Sequence, residues 1–260
     1  MIYGLYLSAA GLQAQQARQE VLSNNIANAG THGFKRDLAV MRARANAVDE
    51  DPSMAGYRLP IFDKQGGGVF PVNGGIDLSP ASLDKTGNAT DVALTGPGFF
   101  TVQGDKPGQK LLTRDGRFLL NNDGDLVTAG DNRAVLNADG EPIKLNPALK
   151  VVITPNGRIT QADAAGNGAA GVQLGVVNVS DPRSLRKVGS NLLTTTSPEA
   201  LTSLPANSKV QQGYLEASGV EAIVEMVNMM EGQRAFEANA RMITFQDQTL
   251  QQLNQIGRVA

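Results

Sequence analysis

The chain has 260 residues, 41% hydrophobic and 18% charged, so it is long enough and apolar enough to fold around a core. Its formal net charge of −2 at pH 7, from 23 basic and 25 acidic residues, provides no charge excess for nucleic acid or an anionic membrane surface. With no cysteine, disulfides, thiolate metal sites and a cysteine nucleophile are excluded, and His32 is the only histidine.

Residues 1–29 are predicted to form a helix, because they contain no proline and only two glycines. Apolar side chains recur at alternating spacings of three and four, which places them on one face. This face comprises Leu7, Ala10, Ala14, Ala17 and Val21, widened by Leu5, Leu12, Leu22 and Ile26. We expect the helix to end near Gly30, with this glycine in the left-handed conformation that favours helix termini.

The same segment does not have the pattern of a cleaved secretion signal. Its first basic residue is Arg18, and residues 13–16 are polar where a signal has its apolar core. No stretch of the chain reaches the ~18 consecutive apolar residues that a membrane span needs. We therefore expect no direct membrane span, and any export without cleavage.

Asn24, Asn25 and Asn28 cluster near the predicted helix end, although asparagine is a poor helix former. One interpretation is a frayed helix terminus. The other is that the side-chain amides bond a neighbouring helix and fix its register, as polar residues do in coiled-coil seams. His32 follows in a turn, where an exposed turn residue is the simpler interpretation than a catalytic base.

The middle of the chain is predicted to be mainly antiparallel β structure. Residues 36–70 are interpreted as an extended connection, and residues 71–213 as a β-rich domain. Short strands are separated by turn signals such as Asp115-Gly116, Asn122-Asp123-Gly124 and Asn156-Gly157. The predicted strands are 91–94, 98–102, 110–114, 117–120, 125–128, 151–154, 158–160 and 172–179.

A second helix is predicted within residues 214–260. Ser218 and Glu221 have capping-box spacing, and an apolar residue recurs every seven positions behind them. This series is Ala222, Met229, Phe236, Ile243 and Leu250. Met226 and Ala240 are expected to fill the interleaved row, which Gln233 and Asp247 interrupt. The pattern is typical of a coiled coil, although a long surface helix lying on its own domain has similar periodicity.

The sequence offers no convincing catalytic, cofactor-binding or metal site. Residues 184–187 fit a Ser-x-x-Lys pattern and residues 85–87 a Lys-Thr-Gly pattern, but in the reverse of the order that penicillin-binding enzymes use. One histidine without cysteine makes a zinc site implausible. We therefore predict no cofactor and no enzymatic activity. A β domain that binds a ligand or acts as an enzyme, with a helical oligomerisation stalk, is the remote alternative.

Each terminal helix has one apolar stripe, and a single helix cannot bury such a stripe by itself. Pairing the two helices, parallel or antiparallel, covers part of both stripes and leaves the rest for an interaction partner. Further copies of the chain are the economical partner. The predicted fold is therefore mixed α and β, with terminal helices pairing as a coiled coil and a central mainly antiparallel β domain.

Four separated motifs resemble those of bacterial flagellar basal-body rod and hook proteins. Residues 23–36 have the Asn-Asn-hydrophobic-Ala-Asn core followed by a Thr-x-Gly-Phe-Lys turn, and residues 91–100 and 113–118 resemble middle-domain motifs of that family. Residues 212–220 and 225–227, extended by 234–239, are similar to its C-terminal signature. The similarity runs from about residue 2 to residue 257, with the motifs in the family's order.

The resemblance implies a structural subunit that stacks helically into a hollow, torque-transmitting rod across the periplasm. It implies domains at 1–35 and 214–260 for the axial core, 36–70 for a connection and 71–213 for an outer domain. Implied partners are further copies, other rod proteins, hook protein, the basal-body rings and the flagellar type III export apparatus, with no nucleic acid. The expected assembly interface comprises Leu5, Leu12, Asn24, Asn25, Asn28, Phe34, Met226, Met229, Phe236, Asn239, Ile243 and Leu250.

The subtype is expected to be distal rod, with proximal rod as the alternative. Residues 225–229 resemble the distal type, whereas residues 2–6 begin much as the proximal type does. Residues 37–65 lack the plain Tyr-Gln and Arg-Gln-Pro-Gly segment of distal-rod proteins.

Overall fold

The structure is a computed structural model, and it describes residues 2–45, 66–106, 108–162, 171–196, 201–203 and 208–257. The chain divides into two compact units. The helical unit comprises residues 1–27, 37–74 and 221–260, and the β unit comprises residues 28–36 and 75–220. Residues 28–35 and the segment 214–220 thus group with the β unit, whereas the sequence-based division assigns them to the segments of the two helices.

Two long helices lie in the helical unit. Helix α1 spans Ile2–Ala27 and helix α2 spans Ala222–Gly257. Both are free of proline, and their positions agree with the two helices predicted from periodicity. With 36 residues, α2 is longer than the 26-residue α1. The prediction of a mixed α and β protein with a helix near each end is confirmed.

The two helix boundaries use other residues than predicted. Gly33, with φ of 69°, is the glycine in the left-handed region after α1, and Gly30 is not among the positive-φ glycines. Ser218 does not cap α2. Its hydroxyl donates to the Asn28 carbonyl at 2.9 Å and accepts from the Val220 amide at 3.3 Å. The predicted capping box is therefore wrong, because the serine lies too far before the first helical residue to reach its free amides.

Helices α1 and α2 pack against each other in antiparallel orientation. Gly4 lies against Gln246, Gly11 against Asn239, and Gly232 of α2 against Gln15 of α1. Residue numbers rise along α1 as those of the contacted residues fall along α2. A β-carbon on Gly4 would lie 2.6 Å from Nε2 of Gln246, and one on Gly11 would lie 3.0 Å from Nδ2 of Asn239. Glycine at these positions therefore lets the α2 amides approach the α1 backbone closely.

A two-stranded ribbon covers a second face of α1. Strand β1 spans Asp37–Ala43 and pairs with β2, which spans Val69–Ile76. A β-carbon on Gly68 would lie 3.3 Å from Leu7 and 3.4 Å from Ala10, so the ribbon approaches α1 on its alanine-rich face. The sequence predicted an extended connection here. The paired strands were missed because their apolar residues are not bounded by hairpin signals, and residues 46–65 lie outside the described part of the chain.

The β unit is built from short strands in mainly antiparallel sheets. A six-stranded sheet has the order β13-β14-β6-β5-β12-β15, a three-stranded sheet the order β11-β10-β9, and three further strand pairs are β16-β4, β17-β3 and β7-β8. The strands are β3 (Leu83–Lys85), β4 (Val92–Thr95), β5 (Phe99–Gln103), β6 (Lys110–Thr113), β7 (Phe118–Leu120), β8 (Leu126–Thr128), β9 (Lys150–Ile153), β10 (Arg158–Ala162), β11 (Val172–Gln173), β12 (Val176–Val179), β13 (Leu185–Gly189), β14 (Leu192–Thr195), β15 (Leu201–Ser203), β16 (Lys209–Gln212) and β17 (Tyr214–Glu216).

The predicted turns divide into two groups. Asn122-Asp123-Gly124 joins the paired strands β7 and β8, and Asn156-Gly157 joins the paired strands β9 and β10, so these hairpins are confirmed. Asp115-Gly116 is not a hairpin, because β6 pairs with β5 and β14 while β7 pairs with β8. Gly116 instead approaches the neighbouring chain so closely that a β-carbon there would overlap the Val92 carbonyl. Its carbonyl accepts from the Val92 amide at 3.0 Å.

Two apolar clusters form the core of the β unit. The larger includes Phe100 and Phe118, whose rings meet edge to face with centroids 5.3 Å apart. The smaller surrounds Phe99 and Leu112. Adjacent Phe99 and Phe100 thus enter different clusters, because successive side chains of a strand point to opposite faces of the sheet.

Candidate assembly interface

One side of α2 is partly covered in two rows of seven-residue period. The first row is Ala222, Met229, Phe236, Ile243 and Leu250, all of intermediate exposure. The second lies three residues further on and consists of Glu225, Gly232, Asn239 and Gln246. Met226 and Ala240 were expected in this row. Met226 is instead 47% exposed, because the row that packs follows a spacing of three and then four.

The second row is polar or glycine at every position, and its counterparts on α1 have the same character. Gln246 and Asn239 lie over Gly4 and Gly11, and Gln15 lies towards Gly232. Ser8 is also buried on α1. The helix pair is therefore held by an apolar row and, beside it, a row in which side-chain amides of one helix pack against glycines of the other. Such a row contributes little hydrophobic free energy but restricts the register in which the helices fit.

The opposite side of α2 exposes large apolar side chains. Ile223 is 75% exposed, Met230 56% and Phe245 65%. Further exposed apolar residues of the helical unit are Leu5, Tyr6, Leu38, Val40, Val69, Phe70, Val224, Met226, Val227, Met242 and Leu253. An apolar surface of this extent on one unit is typical of a protein interaction site.

The turn at 28–36 is fastened within the β unit. The Gly33 amide donates to the Glu216 carbonyl at 2.7 Å, and the Asn191 amide side chain donates to the His32 carbonyl at 2.8 Å. Phe34 is 5% exposed, with the Lys187 ammonium 3.9 Å from its ring centroid. A β-carbon on Gly33 would lie 2.6 Å from the Arg114 carbonyl oxygen, which explains why glycine precedes Phe34.

Lys35, the last residue of the Gly-Phe-Lys motif, belongs to a buried ionic network. Its ammonium lies 2.6 Å from Oε1 of Glu216, and the Arg114 guanidinium lies 3.1 Å from Oε2. The same carboxylate accepts from the Ala81 amide at 3.1 Å. Burial lowers the pKa of Lys35 and that of Arg114, and the Glu216 carboxylate opposes both shifts. One carboxylate thus balances two buried cations from distant parts of the sequence.

The expected interface residues fall into three groups. Met229, Phe236, Asn239, Ile243 and Leu250 lie in the two partly covered rows of α2, with Leu12 of intermediate exposure on α1. Leu5, Asn24 and Met226 are exposed. Asn25, Asn28 and Phe34 are used by contacts within their own unit.

Asn25 is 1% exposed, and its side chain bonds the backbone of β1 rather than a helix. Its Nδ2 donates to the Asp37 carbonyl at 3.0 Å, and its Oδ1 accepts from the Asp37 amide at 3.0 Å. Asn28 accepts from the Thr31 hydroxyl at 3.3 Å and the Ser218 hydroxyl at 2.9 Å. The asparagine cluster therefore organises the chain's exit from α1.

Sequence reasoning missed two features of the site. The polar row of α2 could have been found by testing a spacing of three after each member of the apolar series, where Glu225, Gly232 and Asn239 stand. The ionic network had no such signal. Lys35, Arg114 and Glu216 each lie inside a family-like motif, but their burial and their proximity arise only from the tertiary fold.

The described residues contain no group of three histidine, aspartate or glutamate side chains placed to hold a metal ion. Among the helices that the structure describes, none combines the length and apolarity needed to cross a membrane.

Three family descriptions match separate parts of the chain. Residues 5–35 match "Flagella basal body rod protein", residues 93–161 match "Flagellar hook protein FlgE/F/G D1 domain", and residues 211–256 match "Flagellar basal body rod FlgEFG protein C-terminal". The first and third cover nearly all of α1 and α2, and the second covers most of the apolar core residues of the β unit.

Full-length relatives agree with these matches. The chain is 35% identical to flagellar basal-body rod protein FlgG of Buchnera aphidicola subsp. Schizaphis graminum, over 98% of this chain and all of the relative. The chain belongs to the flagellar basal-body rod protein family. It is also 32% identical to FlgG of Bacillus subtilis over 99% of the chain and all of the relative. Flagellar basal-body rod protein FlgF of Caulobacter vibrioides is 32% identical, with 92% of this chain and 91% of the relative covered.

Family membership confirms the resemblance read from the motifs. Relatives in the rod family place the chain in the flagellar basal body, as a structural protein of motility. The FlgG relatives favour the distal-rod type. Assembly with other rod and hook proteins is the general role that the family indicates.

Proposed function

We propose that this rod-family chain is a non-enzymatic subunit that polymerises helically through its terminal helices into a hollow, torque-transmitting drive shaft. The observation that carries the proposal is the apolar side of α2, which stays exposed although α2 already packs on α1. Burying that side requires further subunits, since exposed apolar surface of this size is unfavourable in water. The absence of cysteine and the single histidine support a structural role.

The two helices act as a short antiparallel coiled coil in this proposal. One support is the seven-residue period of the apolar row Ala222, Met229, Phe236, Ile243 and Leu250. The other is the polar row with the same period, which starts three residues later at Glu225. The axial core then comprises the helical segments within 1–35 and 214–260, residues 36–70 form the connection, and residues 71–213 form the outer domain. Leu5, Asn24 and Met226 lie on exposed surface where a second copy has access.

The distal part of the rod is the proposed position, supported by FlgG relatives that align over their entire length. The relative named FlgF is the observation that keeps the proximal type as the alternative. The proposed partners are further copies, other rod proteins, hook protein, the surrounding rings and the flagellar type III export apparatus, with passage into the periplasm uncleaved.

The test is the size of the intact chain as a function of concentration, measured by light scattering. The average mass of the wild type is expected to rise with concentration. Ile243→Asp is expected to stay monomeric, because Ile243 lies in the row facing α1 and a carboxylate placed there loses its hydration.

Thr244→Asp adds the same charge at the next, exposed position and is the matched control, with assembly retained. An intact chain that stays monomeric at every concentration, with its helices formed, would contradict the proposed polymerisation. Normal assembly of Ile243→Asp would contradict the role given to the helix pair.

A further inference from the structure

The exposed side of α2 consists of residues at regular helical spacing. Residues 223, 227, 230, 234, 238, 241 and 245 follow one another at spacings of three and four, so they lie along one face of the helix. This outer stripe begins with Ile223, Val227 and Met230, all exposed. It continues with Arg234, Ala238 and Arg241 and reaches Phe245, where the side chains form a shallow open groove.

The two ends of the stripe differ in charge. The first end, the acidic patch, is the apolar group Ile223, Val227 and Met230 with two exposed carboxylates close to it in sequence, Glu221 just before the helix and Glu231 directly after Met230. Residues 221–233 contain no lysine or arginine. Methionine suits such a patch because its flexible thioether side chain adapts to different surfaces.

The second end, the basic patch, is the groove formed by Ala238, Met242 and Phe245 with Arg234 and Arg241 at its rim. Its one acidic residue is Glu237, which lies 4.0 Å from the Arg241 guanidinium. Both patches combine an apolar centre with a charged rim, and the rims carry opposite signs. Opposite rims favour contact between unlike patches and disfavour contact between like ones.

One chain does not bring its own two patches together, because α2 is continuous from Ala222 to Gly257. At 1.5 Å per residue, Met230 and Phe245 are held about 22 Å apart along the helix axis. A second copy that lies parallel to the first, turned so that its stripe faces the stripe of the first and shifted along the axis by that distance, aligns its acidic patch with the basic patch of the first. In this shifted, parallel arrangement each copy keeps one patch free for the next copy, so the contact repeats without closing and builds a filament, whereas an antiparallel pair closes as a dimer.

We propose that the acidic patch at the start of α2 docks onto the basic patch of α2 in a second copy of this chain, head to tail. The contact rests on the proposed assembly function and specifies which surfaces meet. It buries the exposed apolar side chains of both patches and pairs Glu221 and Glu231 with Arg234 and Arg241 across the interface.

The absence of cysteine in the chain allows a direct test by engineered cross-linking. Val227→Cys introduces a thiol in the acidic patch and Ala238→Cys introduces one in the basic patch. Under mild oxidation, the full chain carrying both is expected to give a ladder of dimer, trimer and longer species on a non-reducing gel. Each single variant is expected to give no cross-linked species on the gel, and an equal mixture of the two is expected to give cross-linked dimer only.

Other patterns overturn the proposal. Dimers from a single variant mean that like patches meet, and a double variant that stops at dimer means a closed two-fold contact. An intramolecular cross-link means that the chain covers its own stripe. The chain carrying Leu119→Cys and Val152→Cys, exposed positions in the β unit, measures cross-linking by collision and is expected to give no ladder.

Charge exchange provides the second readout. Arg234→Glu with Arg241→Glu is expected to abolish the ladder, and adding Glu221→Arg with Glu231→Arg in the same chain is expected to restore it. Assembly of the wild type without any ladder from the double-cysteine chain would reject this contact and leave the proposed function standing. A wild-type chain that never assembles would reject both.

Discussion

At the residue scale, the Glu216 carboxylate is held by several partners at once in the β unit. It lies between the Lys35 ammonium and the Arg114 guanidinium, and the side chains of all three are almost fully buried. The Lys35 ammonium also donates to the Ser79 carbonyl at 2.7 Å, and the Arg114 guanidinium to the Gly96 carbonyl at 2.7 Å. The network therefore ties the turn after α1 to β17 and to the loops that follow β4 and β6.

Glu216→Gln is expected to destabilise the β unit strongly. The substitution keeps the size of the side chain but leaves two buried cations without a counter-charge, a change that costs roughly 3–5 kcal/mol in buried pairs. Urea denaturation followed by circular dichroism measures the loss. Asp105→Asn is the control, because Asp105 pairs with Arg133 at 2.7 Å but is 71% exposed, and exposed pairs contribute about 0–1 kcal/mol. Equal effects of the two substitutions would contradict the role of the network.

Asp77 gives the β unit a defined response to acid. Hydrogen bonds from the Ser79 hydroxyl and amide, with a smaller contribution from Arg36, hold its pKa below the ordinary value of 3.8. A carboxyl group with a lowered folded-state pKa adds stability above its unfolded pKa. That stability is lost as the pH falls through the folded-state pKa.

The wild type is therefore expected to be more stable than Asp77→Asn at about pH 6, with the difference shrinking as the pH falls below 3.8. Urea midpoints at several pH values measure it. Asp123→Asn, at an exposed position, is the control and is expected to show no such convergence. A difference between wild type and Asp77→Asn that is constant with pH would show that the carboxylate charge is not involved.

At the element scale, the helix pair depends on glycine where two amides approach. Gly11→Leu is expected to lower the melting temperature of the helices. Its β-carbon alone would lie 3.0 Å from the Asn239 amide, and overpacking of this kind costs about 1–3 kcal/mol. Thermal unfolding followed at 222 nm measures the change. Ala9→Leu, at a neighbouring exposed position, is expected to have little effect.

Asn239→Ala is expected to recover part of the loss in Gly11→Leu, because it removes the side chain that the new leucine meets. Additive effects of the two substitutions would mean that Gly11 and Asn239 do not pack against each other.

Many of the helices and strands could be predicted from the sequence. The features that could not be predicted share one cause, which is that they depend on contacts between distant segments. The period of Leu7, Ala10 and Ala14 and the sevenfold recurrence from Ala222 to Leu250 mark the helices locally. The hairpin signals before Asp125 and Arg158 do the same for their strands. In contrast, the pairing of β16 with β4, of β17 with β3, and the burial of Lys35 join residues far apart in sequence. Local patterns contain no information on such partners.

At the scale of the whole molecule, the chain has two units with different sources of stability. The β unit has two apolar clusters, the larger of them around Phe100, Phe118 and Ile143. The helical unit has one apolar row, one polar row and an exposed side. We expect removal of residues 221–260 to leave the β unit folded, with its near-ultraviolet signals and urea midpoint close to those of the intact chain. Loss of that transition would show that the β unit depends on α2.

The sequence-based division differs most from the structure where the chain passes from one unit to the other. Residues 28–36 continue α1 in sequence but fold with the β unit, and the sequence-based division places them with the helix. Gly33, Phe34 and Lys35 are fixed by Arg114, Lys187 and Glu216, which come from later segments of the chain. A motif found beside a helix is not necessarily part of the helical structure.

The antiparallel contact of α1 with α2 has a consequence for the order of folding. Gly4 meets Gln246, and these residues come from opposite ends of the chain. A ribosome completes α1 before any of α2 exists, so the first helix has to wait for the last one. Contacts between such distant segments form slowly, because loop closure has to precede them. Until then the β1–β2 ribbon is the cover that the described residues before α2 provide for the apolar face of α1, and we expect a newly made chain to be most prone to aggregate in that interval.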